Sequence, residues 1–597
     1  MQILKKFLFL LSPNERKYSI ILLFMILIMA LIDMIGVASI LPFITVLINP
    51  EIIERNIFLN IMYQKSNVFG VETSQQFLFA LGILVFIILV ISITFKALTS
   101  YLVLRFTQML EFTISKRLVE GYLNQPYSWF LNRHSADLGK SILSEVGIIV
   151  GHGLTPLMEL FSKSFVVIAL ITLLIFIDPK IAIVAGFTFL IAYSLIYKLT
   201  RSYLKRIGKE RLTANNLRFT AVSEAFGSAK EVKVGGIEEP YIKRFANPAK
   251  IFAKHTATSQ VLSQLPRFAL EVIAFGGMLL VILYLMLKSG SFVNIIPIIA
   301  LYTFAGYRLM PALQSIYGAV TQLRFVSPAL DEMYKDIKSL KPTLMKNHIS
   351  VLPLKDNINI KNIHYDYPNS SRNILKNVDF KISANTIVGI VGETGSGKTT
   401  TVDIILGLLE PKKGSLEVDG ILINESNKRS WQRSIGYVPQ HINLIDDTLS
   451  ANIAFGIEAN EINHDAVLNA SKIANLHEFV INELSDKYQT TIGERGVRLS
   501  GGQRQRIGIA RALYRKPQVL ILDEATSALD NLTEQKVMEE VSKLRNNLTV
   551  ILITHRLTTV KNCDKIFLLD KGKLVGQGSY EELYSSNLQF KATASNI

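Results

Sequence analysis

The chain has 597 residues, which is too long for one hydrophobic core and predicts about two to four domains. Its mean hydropathy is +0.31, and because the apolar surplus lies in the first half, we expect a membrane region followed by a soluble one. The formal charge of +16 falls largely beside apolar segments, so it indicates membrane-flanking positive charge and not a nucleic-acid surface. Cys563, the only cysteine, excludes disulfides and cysteine metal clusters within one chain.

The N-terminus carries Lys5 and Lys6 within a short, mostly apolar stretch. A signal peptide is disfavoured because a polar segment over residues 13–17 interrupts the stretch and no small-residue cleavage site follows. The pattern predicts a short amphipathic helix on the cytoplasmic surface of a membrane.

Six apolar runs follow, each long enough to cross a bilayer of about 30 Å. They cover residues 18–47, 77–95, 154–177, 181–197, 268–287 and 295–313. The long polar intervals 104–153 and 198–266 are compatible with helices, and the second is rich in basic residues, which places both in the cytoplasm with the two chain termini. The pattern predicts an all-α, six-helix transmembrane domain over residues 1–332.

The segment 49–75, between the first two runs, is expected outside the cell. Its apolar residues recur at spacings of one, three or four, as in an amphipathic helix. Two interpretations stay open: a loop helix packed on the other spans, and a helix at the outer interface that contacts a lipid tail.

A lysine-rich stretch with two prolines, residues 333–356, predicts a linker. Beyond it, short β-branched runs alternate with helix-compatible segments. This pattern predicts an α/β nucleotide-binding domain over residues 357–597.

A glycine-rich loop in this second domain has the P-loop spacing G-x-x-x-x-G-K-[ST]. Backbone N–H groups and a helix N-terminus can hold a phosphate in such a loop. Lys398 can then reach the β- and γ-phosphates, and the hydroxyl of Thr399 can hold Mg²⁺. The residues expected to bind the nucleotide are Gly392, Glu393, Thr394, Gly395, Ser396, Gly397, Lys398, Thr399 and Thr400.

An apolar strand over residues 519–522 ends in two acids. Beside a P-loop, Asp523 is the expected Mg²⁺ ligand, directly or through water, and Glu524 is placed to polarise the attacking water. Strands often end in acids, so this signal depends on the P-loop for its strength.

The sequence Leu499-Ser500-Gly501-Gly502-Gln503 resembles the signature of ABC ATPases. The resemblance implies ATP as the nucleotide and a second anion site at a helix N-terminus, which would serve the ATP of a partner chain. It also implies adenine stacking by Tyr367 and catalytic roles for Gln440 and His555 beside Glu524, with Gln440 also near Mg²⁺. The residues that it adds to the ATP-binding set are Tyr367, Ser500, Gly501, Gly502, Gln503 and Asp530.

The whole chain resembles an exporter-type ABC half-transporter, in which six spans precede one ATPase domain. The segments 125–130 and 223–236 resemble its two coupling helices, and Gly493–Gly496 resembles the loop that meets them. The resemblance implies the type I exporter fold, a homodimer in a bacterial inner membrane, and ATPase domains in the cytoplasm. A soluble ABC ATPase acting on nucleic acid is disfavoured because of the six spans.

Basic residues near the membrane give the clue to the cargo. Lys96, Arg267 and Arg308 are the candidate cationic substrate site, and Asp33 is the candidate structural partner of one of them. Strings around Arg267 and Arg308 resemble the PglK-type flippase of bacterial protein glycosylation, which implies a polyprenyl-pyrophosphate-linked oligosaccharide as cargo. The alternatives are lipid A, a phospholipid, a drug or a peptide.

Overall fold

The computed structural model describes residues 2–595 except 67, 69, 178, 290–295, 342–349, 369–372, 494–495, 497–498, 526–528 and 558. It divides into two compact units. Unit 1 comprises residues 1–125 and 132–343, and unit 2 comprises residues 126–131 and 344–597.

Unit 1 is helical. The helices up to residue 339 are α1 (Gln2–Leu10), α2 (Pro13–Ala38), α3 (Ile40–Ile48), α4 (Ile52–Arg55), α5 (Ile57–Ser66), α6 (Ser74–Leu123), α7 (Tyr127–Phe130, which groups with unit 2), α8 (Ser135–Lys140), α9 (Val146–Ile149), α10 (Thr155–Ile177), α11 (Pro179–Gly227), α12 (Ala229–Gly235), α13 (Glu238–Ser289) and α14 (Ile296–Ser339). The helix predicted at the N-terminus is confirmed as α1.

The first predicted span is two helices, α2 and α3, which meet at Ser39. Pro42 falls in the first turn of α3, where its missing N–H would have no partner inside a helix in any case. The chain can therefore restart a helix there without losing a backbone hydrogen bond. The second, fourth and fifth predicted spans lie inside the longer helices α6, α11 and α13. The third nearly coincides with α10, and the sixth lies in α14 from residue 296 onward.

Among the described residues, four helical stretches are long and apolar enough to cross a membrane: 13–48, 74–123, 135–176 and 182–227. The fifth and sixth predicted runs fall within α13 and α14, where only some side chains are described. The polar intervals predicted between the spans continue the same helices, as in α6 and α11, which have 50 and 49 residues.

Two π-helical segments, Ser141–Glu145 and Val150–Leu154, connect α8, α9 and α10. Glu145, the last residue of the first π-helical segment, forms a buried ion pair with Arg211. It accepts two hydrogen bonds from the guanidinium group, at 3.0 and 3.2 Å. Asn215 donates a third bond at 2.6 Å. A buried ion pair needs this bidentate geometry and extra hydrogen bonding to offset its desolvation.

The outer segment predicted as one amphipathic helix is two short helices, α4 and α5. Asn56 ends the first and caps the second, accepting a hydrogen bond from the Phe58 N–H at 3.0 Å. Ile53 and Leu59 are buried in a cluster with residues of α3 and α6, as the packed-loop interpretation predicts. Ile57 and Phe58 point away from that cluster and are 81% and 68% exposed.

The predicted linker begins at residue 333, whereas α14 continues to Ser339. Residues 333–339 contain no glycine or proline that would end a helix. Their side chains are also engaged: Asp336 accepts hydrogen bonds from Tyr122 and Arg133, and Tyr334 packs edge-on against Phe9.

Unit 2 contains the strands β1 (Asn357–Tyr365), β2 (Leu375–Ser383), β3 (Ile387–Val391), β4 (Lys413–Val418), β5 (Ile421–Leu422), β6 (Ile435–Val438), β7 (Val519–Asp523), β8 (Thr549–Thr554), β9 (Lys565–Asp570) and β10 (Lys573–Gly578). Its helices after α7 are α15 (Lys398–Ile405), α16 (Lys428–Gln432), α17 (Leu449–Ile453), α18 (His464–Ile473), α19 (His477–Glu483), α20 (Gly501–Tyr514), α21 (Asn531–Lys543), α22 (Tyr580–Ser586) and α23 (Leu588–Ser595).

The strands form two sheets. One is antiparallel, in the order β2-β1-β4-β5, and the other has the order β10-β9-β3-β8-β7-β6. In the second sheet all neighbours are parallel except β9 and β10. The central strands β3, β7 and β8 are buried throughout, as expected for parallel strands covered on both faces. Their carboxyl ends meet at one edge, where the candidate site lies.

Candidate functional site

The P-loop connects the central strand β3 to α15. Gly397 stands at the N-cap of α15 with φ +103°, and Lys398 is the first residue of the helix. Lys398 is buried, and its Nζ donates to the carbonyl oxygens of Gly392 and Glu393 at 2.8 and 2.9 Å. The ammonium group of Lys398 is therefore held by two carbonyl oxygens of its own loop. A bound phosphate would compete with these carbonyl oxygens for the ammonium group.

Two glycines of the loop are required by space as well as by conformation. A Cβ on Gly397 would lie 2.7 Å from Leu375 Cδ2, and a Cβ on Gly392 would collide with the carbonyl oxygen of Leu569. Gly395, with φ +81°, has no heavy atom within 4 Å of that position. The backbone thus leaves open space around Gly395, at the tip of the loop, and forms a cradle there. The positive φ angle of this residue favours glycine.

The cradle fits an anion. Ser396 Oγ is buried and has no hydrogen-bond partner among the described residues. Burial lowers the pKa of Lys398, an effect that the nearby Glu524 and Asp523 carboxylates oppose. A bound phosphate would supply both the acceptor that Ser396 lacks and a counter-charge for Lys398.

Asp523 ends β7, which is separated from the P-loop strand β3 by β8. It is buried and accepts a hydrogen bond from Tyr437 Oη at 3.3 Å. Burial raises the pKa of Asp523, and Glu524 adds to the rise, whereas Tyr437 and Lys398 oppose it. Tyr437, on β6, is a supporting residue that the sequence analysis missed, although its position before Gln440 on an adjacent strand was a usable signal.

Three predicted catalytic side chains converge. Glu524 accepts a hydrogen bond from Gln440 Nε2 at 2.8 Å, and His555 Nδ1 lies 3.2 Å from its other oxygen. The Glu524 backbone has φ +49°, in the left-handed region that residues other than glycine seldom adopt. This turn after β7 brings the carboxylate between two residues that are more than 30 positions away in the sequence.

Tyr367 contacts α15, and Asp403 is part of that helix. Tyr367 Oη is 3.1 Å from Thr400 Oγ1, and its ring meets Tyr365 edge-on. Asp403, which the sequence analysis also missed, is buried on α15, and burial together with Asp523 raises its pKa to about 6. The predicted contact of Tyr367 with adenine stays a prediction.

The signature residues form a helix cap. Ser500 caps α20: its Oγ accepts from the Gln503 N–H at 3.1 Å, and its own N–H donates to Gln503 Oε1 at 2.7 Å. Asp530 caps α21 by accepting a hydrogen bond from the Thr533 N–H at 3.0 Å, and hydrogen bonding by Thr533 lowers the pKa of the Asp530 carboxyl. Residues 494 and 495 of the predicted loop Gly493–Gly496 lie outside the described residues.

Mg²⁺ fits the donor set only together with phosphate. No cluster of three His, Cys, Asp or Glu side chains that could hold a metal was found in the described part of the chain. Thr399, which is exposed at the start of α15, and Asp523 offer a hydroxyl and a carboxylate, and Mg²⁺ is commonly held by one or two protein oxygens plus substrate phosphates. Gln440 is the third predicted contact.

The three predicted substrate residues are in different surroundings. In unit 1, Arg308 Nη1 donates to Asp33 Oδ1 at 2.9 Å, and Ser92 shares that carboxylate. Arg267 is 57% exposed and pairs with Glu271 of its own helix at 2.9 Å. Asp33 is thus confirmed as a partner of one of the bases.

Lys96 is half-buried, and no carboxylate of the described residues is within ion-pair distance of it. A further base, Lys163, interacts electrostatically with Lys96, Arg308, Asp33 and Glu159. The structure therefore groups Lys96 and Arg308 around Lys163. The sequence analysis missed Lys163, which follows Glu159 by four residues within the third predicted span.

Comparison with known proteins gives consistent results. Residues 20–311 match the family described as "ABC transporter transmembrane region", and residues 375–527 match the family described as "ABC transporter". A protein of Syntrophus aciditrophicus named "ATP-dependent lipid A-core flippase" is 30% identical over 79% of this chain and 77% of its own length.

A protein of the same name from Cupriavidus pinatubonensis is 28% identical, over 79% of this chain and 80% of its own. A solved structure, "a bacterial Atm1-family ABC exporter with ATP bound", superposes with a TM-score of 0.78 at 22% identity, covering 94% of this chain and 97% of that one. The expected type I exporter fold, a helical transmembrane domain followed by an α/β ATPase domain, is confirmed.

Proposed function

The chain belongs to the ABC transporter family as an exporter-type half-transporter, and from that premise we propose that two copies move a phosphorylated glycolipid outward across a bacterial inner membrane. It is an ATPase whose hydrolysis is coupled to transport. The observation that carries the proposed cargo class is the intramembrane group of Lys96, Lys163 and Arg308, of which only Arg308 has a close carboxylate partner among the described residues.

The charge balance of that group favours an anion. Counted at their ordinary ionisation, Lys96, Lys163 and Arg308 contribute three positive charges and Asp33 and Glu159 two negative ones. Basic groups inside a bilayer are expensive unless a partner compensates them, so the surplus suits a cargo that brings phosphate. A hydrocarbon-soluble drug without an anionic group would leave the surplus uncompensated.

The relatives favour lipid A-core as the specific cargo, because that is the lipid in their names. This corresponds to the alternative in the sequence analysis and not to its main interpretation. A polyprenyl-pyrophosphate oligosaccharide remains the second candidate on the strings around Arg267 and Arg308 and on the exposed apolar face of α5. The ion pairs of both arginines weaken that candidate, since each already has a carboxylate.

The ATPase cycle would use the converged side chains. Lys398 and the P-loop N–H groups would bind the phosphates of ATP, and Thr399, Asp523 and Gln440 would hold Mg²⁺, which neutralises phosphate charge. Glu524 would orient and polarise the attacking water, with His555 fixing the carboxylate and contacting the γ-phosphate.

A homodimer is proposed because each chain has one P-loop and one signature helix. The N-terminus of α20, with Ser500, is an anion site separate in sequence from the P-loop, and the partner chain's ATP would occupy it. The short helix α7, which groups with the ATPase unit, and the segment around α12 would be the two coupling elements. The ATPase units would then face the cytoplasm.

The test is ATP-dependent flipping in proteoliposomes, with lipid A-core glycolipid and polyprenyl-pyrophosphate oligosaccharide as separate cargoes. Accessibility of the glycan to an added enzyme reports flipping. The double variant Lys96→Gln, Lys163→Gln should lower glycolipid flipped per ATP hydrolysed by at least about tenfold, as expected for losing two charge-assisted contacts.

The matched control is Lys198→Gln, which removes an exposed lysine of α11. If the double variant flips as well as this control, the cation group does not bind cargo. If neither lipid is flipped while ATP is hydrolysed, the lipid assignment is wrong and the ATPase assignment stands.

A further inference from the structure

A cavity of about 400 Å³ lies between α10, α11 and α14. Its walls are predominantly apolar, with Val167, Ile171, Leu174, Leu190, Leu309 and Leu313 among them. The volume is within the range of small-molecule pockets. None of the described residues that line it is charged, so it is distinct from the cation group proposed to bind cargo phosphate.

The polar atoms of the cavity are concentrated at one end. Tyr193, Ser194 and Tyr197 of α11 and Tyr317 of α14 line it there, whereas Ala182 and Gly186 line the end near the α10–α11 turn. The rings of Tyr193 and Tyr317 are 5.6 Å apart. Tyr193 Oη is buried and has no hydrogen-bond partner among the described residues.

An unpaired buried hydroxyl in a bilayer is unfavourable, because no water is present to replace the missing partner. Tyr317 does not supply it, because its hydroxyl is outside hydrogen-bonding geometry with Tyr193 Oη and lies instead 3.4 Å from Thr200 Oγ1. A mainly apolar cavity is also a poor site for water, which needs two or more polar partners. The expected occupant is therefore mainly hydrocarbon with a hydrogen-bond acceptor at one end.

The depth of Tyr193 identifies the leaflet. It follows the start of α11 at Pro179 by about 21 Å of helix at 1.5 Å per residue. In a hydrocarbon core of about 30 Å this leaves about 9 Å to the opposite face. If the α10–α11 turn is outside, as the proposed function requires, Tyr193 lies in the cytoplasmic half of the core, about 9 Å from its inner boundary, so the ester group of a cytoplasmic-leaflet lipid has to enter the cavity to reach it.

We propose that this cavity binds one acyl chain of a cytoplasmic-leaflet phospholipid, with Tyr193 donating a hydrogen bond to the ester carbonyl. The bound lipid is a resident of the transporter and not its cargo. The chain would run from the tyrosine end toward Gly186 and fill space that would otherwise be empty between three helices. The inference rests on the proposed orientation in the membrane and not on the identity of the cargo.

The probe is a phosphatidylethanolamine with a diazirine midway along one acyl chain, added to phosphatidylethanolamine–phosphatidylglycerol vesicles containing the full-length protein. Illumination followed by peptide mapping should place the label on α11 and α14. An ether-linked version of the probe lacks the carbonyl acceptor. It should label the wild-type protein about fivefold less, as expected for losing one hydrogen bond.

Two variants alter the cavity, each with a matched control. Gly186→Leu fills the apolar end, and a Cβ there has no heavy atom within 4 Å; Gly276→Leu makes the same change on α13, also with nothing within 4 Å and outside the cavity lining. Tyr193→Phe removes only the hydroxyl, and Tyr307→Phe does so at an exposed position of α14 outside the lining.

We expect Gly186→Leu to abolish labelling of α11 and Gly276→Leu to leave it unchanged. Tyr193→Phe should reduce labelling by the ester probe to the level of the ether probe, while Tyr307→Phe keeps the difference. Equal labelling of the two folded leucine variants, or an ester–ether difference that survives Tyr193→Phe, would overturn the proposal.

Displacement of the probe by added lipid A-core glycolipid at an equal concentration would also overturn it, by making the cavity a cargo site. If Gly186→Leu does not fold, the tyrosine pair still decides. Loss of flipping in the transport assay has no bearing on these results, so the two proposals fail independently.

Discussion

Arg308 donates a hydrogen bond to Asp33 across 275 positions of sequence, at 2.9 Å, in a pair whose side chains are 19% and 5% exposed. Ser92 donates to the same carboxylate oxygen at 3.3 Å. The pair compensates both charges inside α2 and α14, which explains how an arginine is tolerated in an apolar run. It also leaves Lys96 and Lys163 as the bases without a close carboxylate among the described residues.

Breaking this pair should destabilise the protein more than removing it. Asp33→Ala leaves a buried guanidinium and is expected to cost about 3–5 kcal/mol. The double variant Asp33→Ala, Arg308→Met should recover most of that loss. Thermal unfolding in detergent measures both. Glu271→Ala, which breaks the exposed pair with Arg267, serves as control with an expected change below about 1 kcal/mol. Equal losses at the two pairs would contradict this account.

Glu524→Gln should separate nucleotide binding from hydrolysis. Glutamine keeps the size of the side chain and can still accept from Gln440, but it cannot take a proton from water. ATP hydrolysis should fall by about 10²–10⁴-fold, the usual contribution of a general base. Binding of a fluorescent ATP analogue should be unchanged. A variant that hydrolyses ATP at the normal rate would refute the assigned base.

Lys398→Ala should have the complementary effect. It removes the charge-assisted contact to phosphate, so the Kd for ATP should rise by about 10–150-fold, corresponding to about 1.5–3 kcal/mol. The same titration with the fluorescent analogue measures it. Lys412→Ala, which removes an exposed lysine paired with Asp366, is the control. An unchanged Kd would mean that Lys398 stays bonded to the loop carbonyls when nucleotide binds.

The P-loop glycines should differ in their tolerance of alanine. Gly392→Ala places a methyl group against the backbone of Leu569, so β3 and β9 would have to separate and nucleotide binding should be lost. Gly395→Ala meets no atom within 4 Å and carries only the cost of φ +81°, about 1–2 kcal/mol. Unfolding temperature and ATP affinity, measured on both, should rank them in that order.

Asp403 should make the ATPase unit less stable as pH rises. Its pKa is about 6 in the folded chain against an ordinary value of 3.8, so the folded state holds the extra proton between those values. Stability is therefore lost as pH rises from about 4 to 6, and the full penalty is present above pH 6. Asp403→Asn should raise stability at pH 7.5 by up to about 3 kcal/mol and change little at pH 4.

Nucleotide-free protein unfolded at pH 4, 5, 6 and 7.5 provides the measurement. A variant that is no more stable than the wild type at pH 7.5 would show that the carboxylate is compensated in the folded state. Glu417→Gln is the control, since its pKa is lowered by Lys361 and its effect has the opposite sign.

Local sequence was sufficient for the P-loop, because the strand, the glycines and the helix start are contiguous and their chemistry follows from backbone geometry. The pairing of Glu524 with His555 was predicted only through the family resemblance. The two residues are 31 positions apart, and no local sequence pattern indicates the turn at Glu524. Arg211 and Glu145 show the limit: each reads as a surface charge, and only the packing of distant helices buries them together.

The same limit affects the membrane helices. Apolar runs identified where the spans lie, but not that α6 and α11 continue through the polar intervals, because helix propensity does not distinguish lipid-facing from water-facing turns. The break at Ser39 depends on where Pro42 falls relative to a helix start, which hydropathy does not report.

The third membrane-spanning stretch, residues 135–176, contains two π-helical segments that change the direction in which later side chains point. Ser141–Glu145 and Val150–Leu154 each close hydrogen bonds over five residues where an α-turn uses four. Each inserted position turns every later side chain by about 100° around the axis. Lys163 and Val167 therefore face directions that an uninterrupted helical wheel drawn from residue 135 would assign to other positions. A substitution scan of this stretch that relies on such a wheel would assign residues before and after the two π-helical segments to the same face, although they lie on opposite faces of the helix.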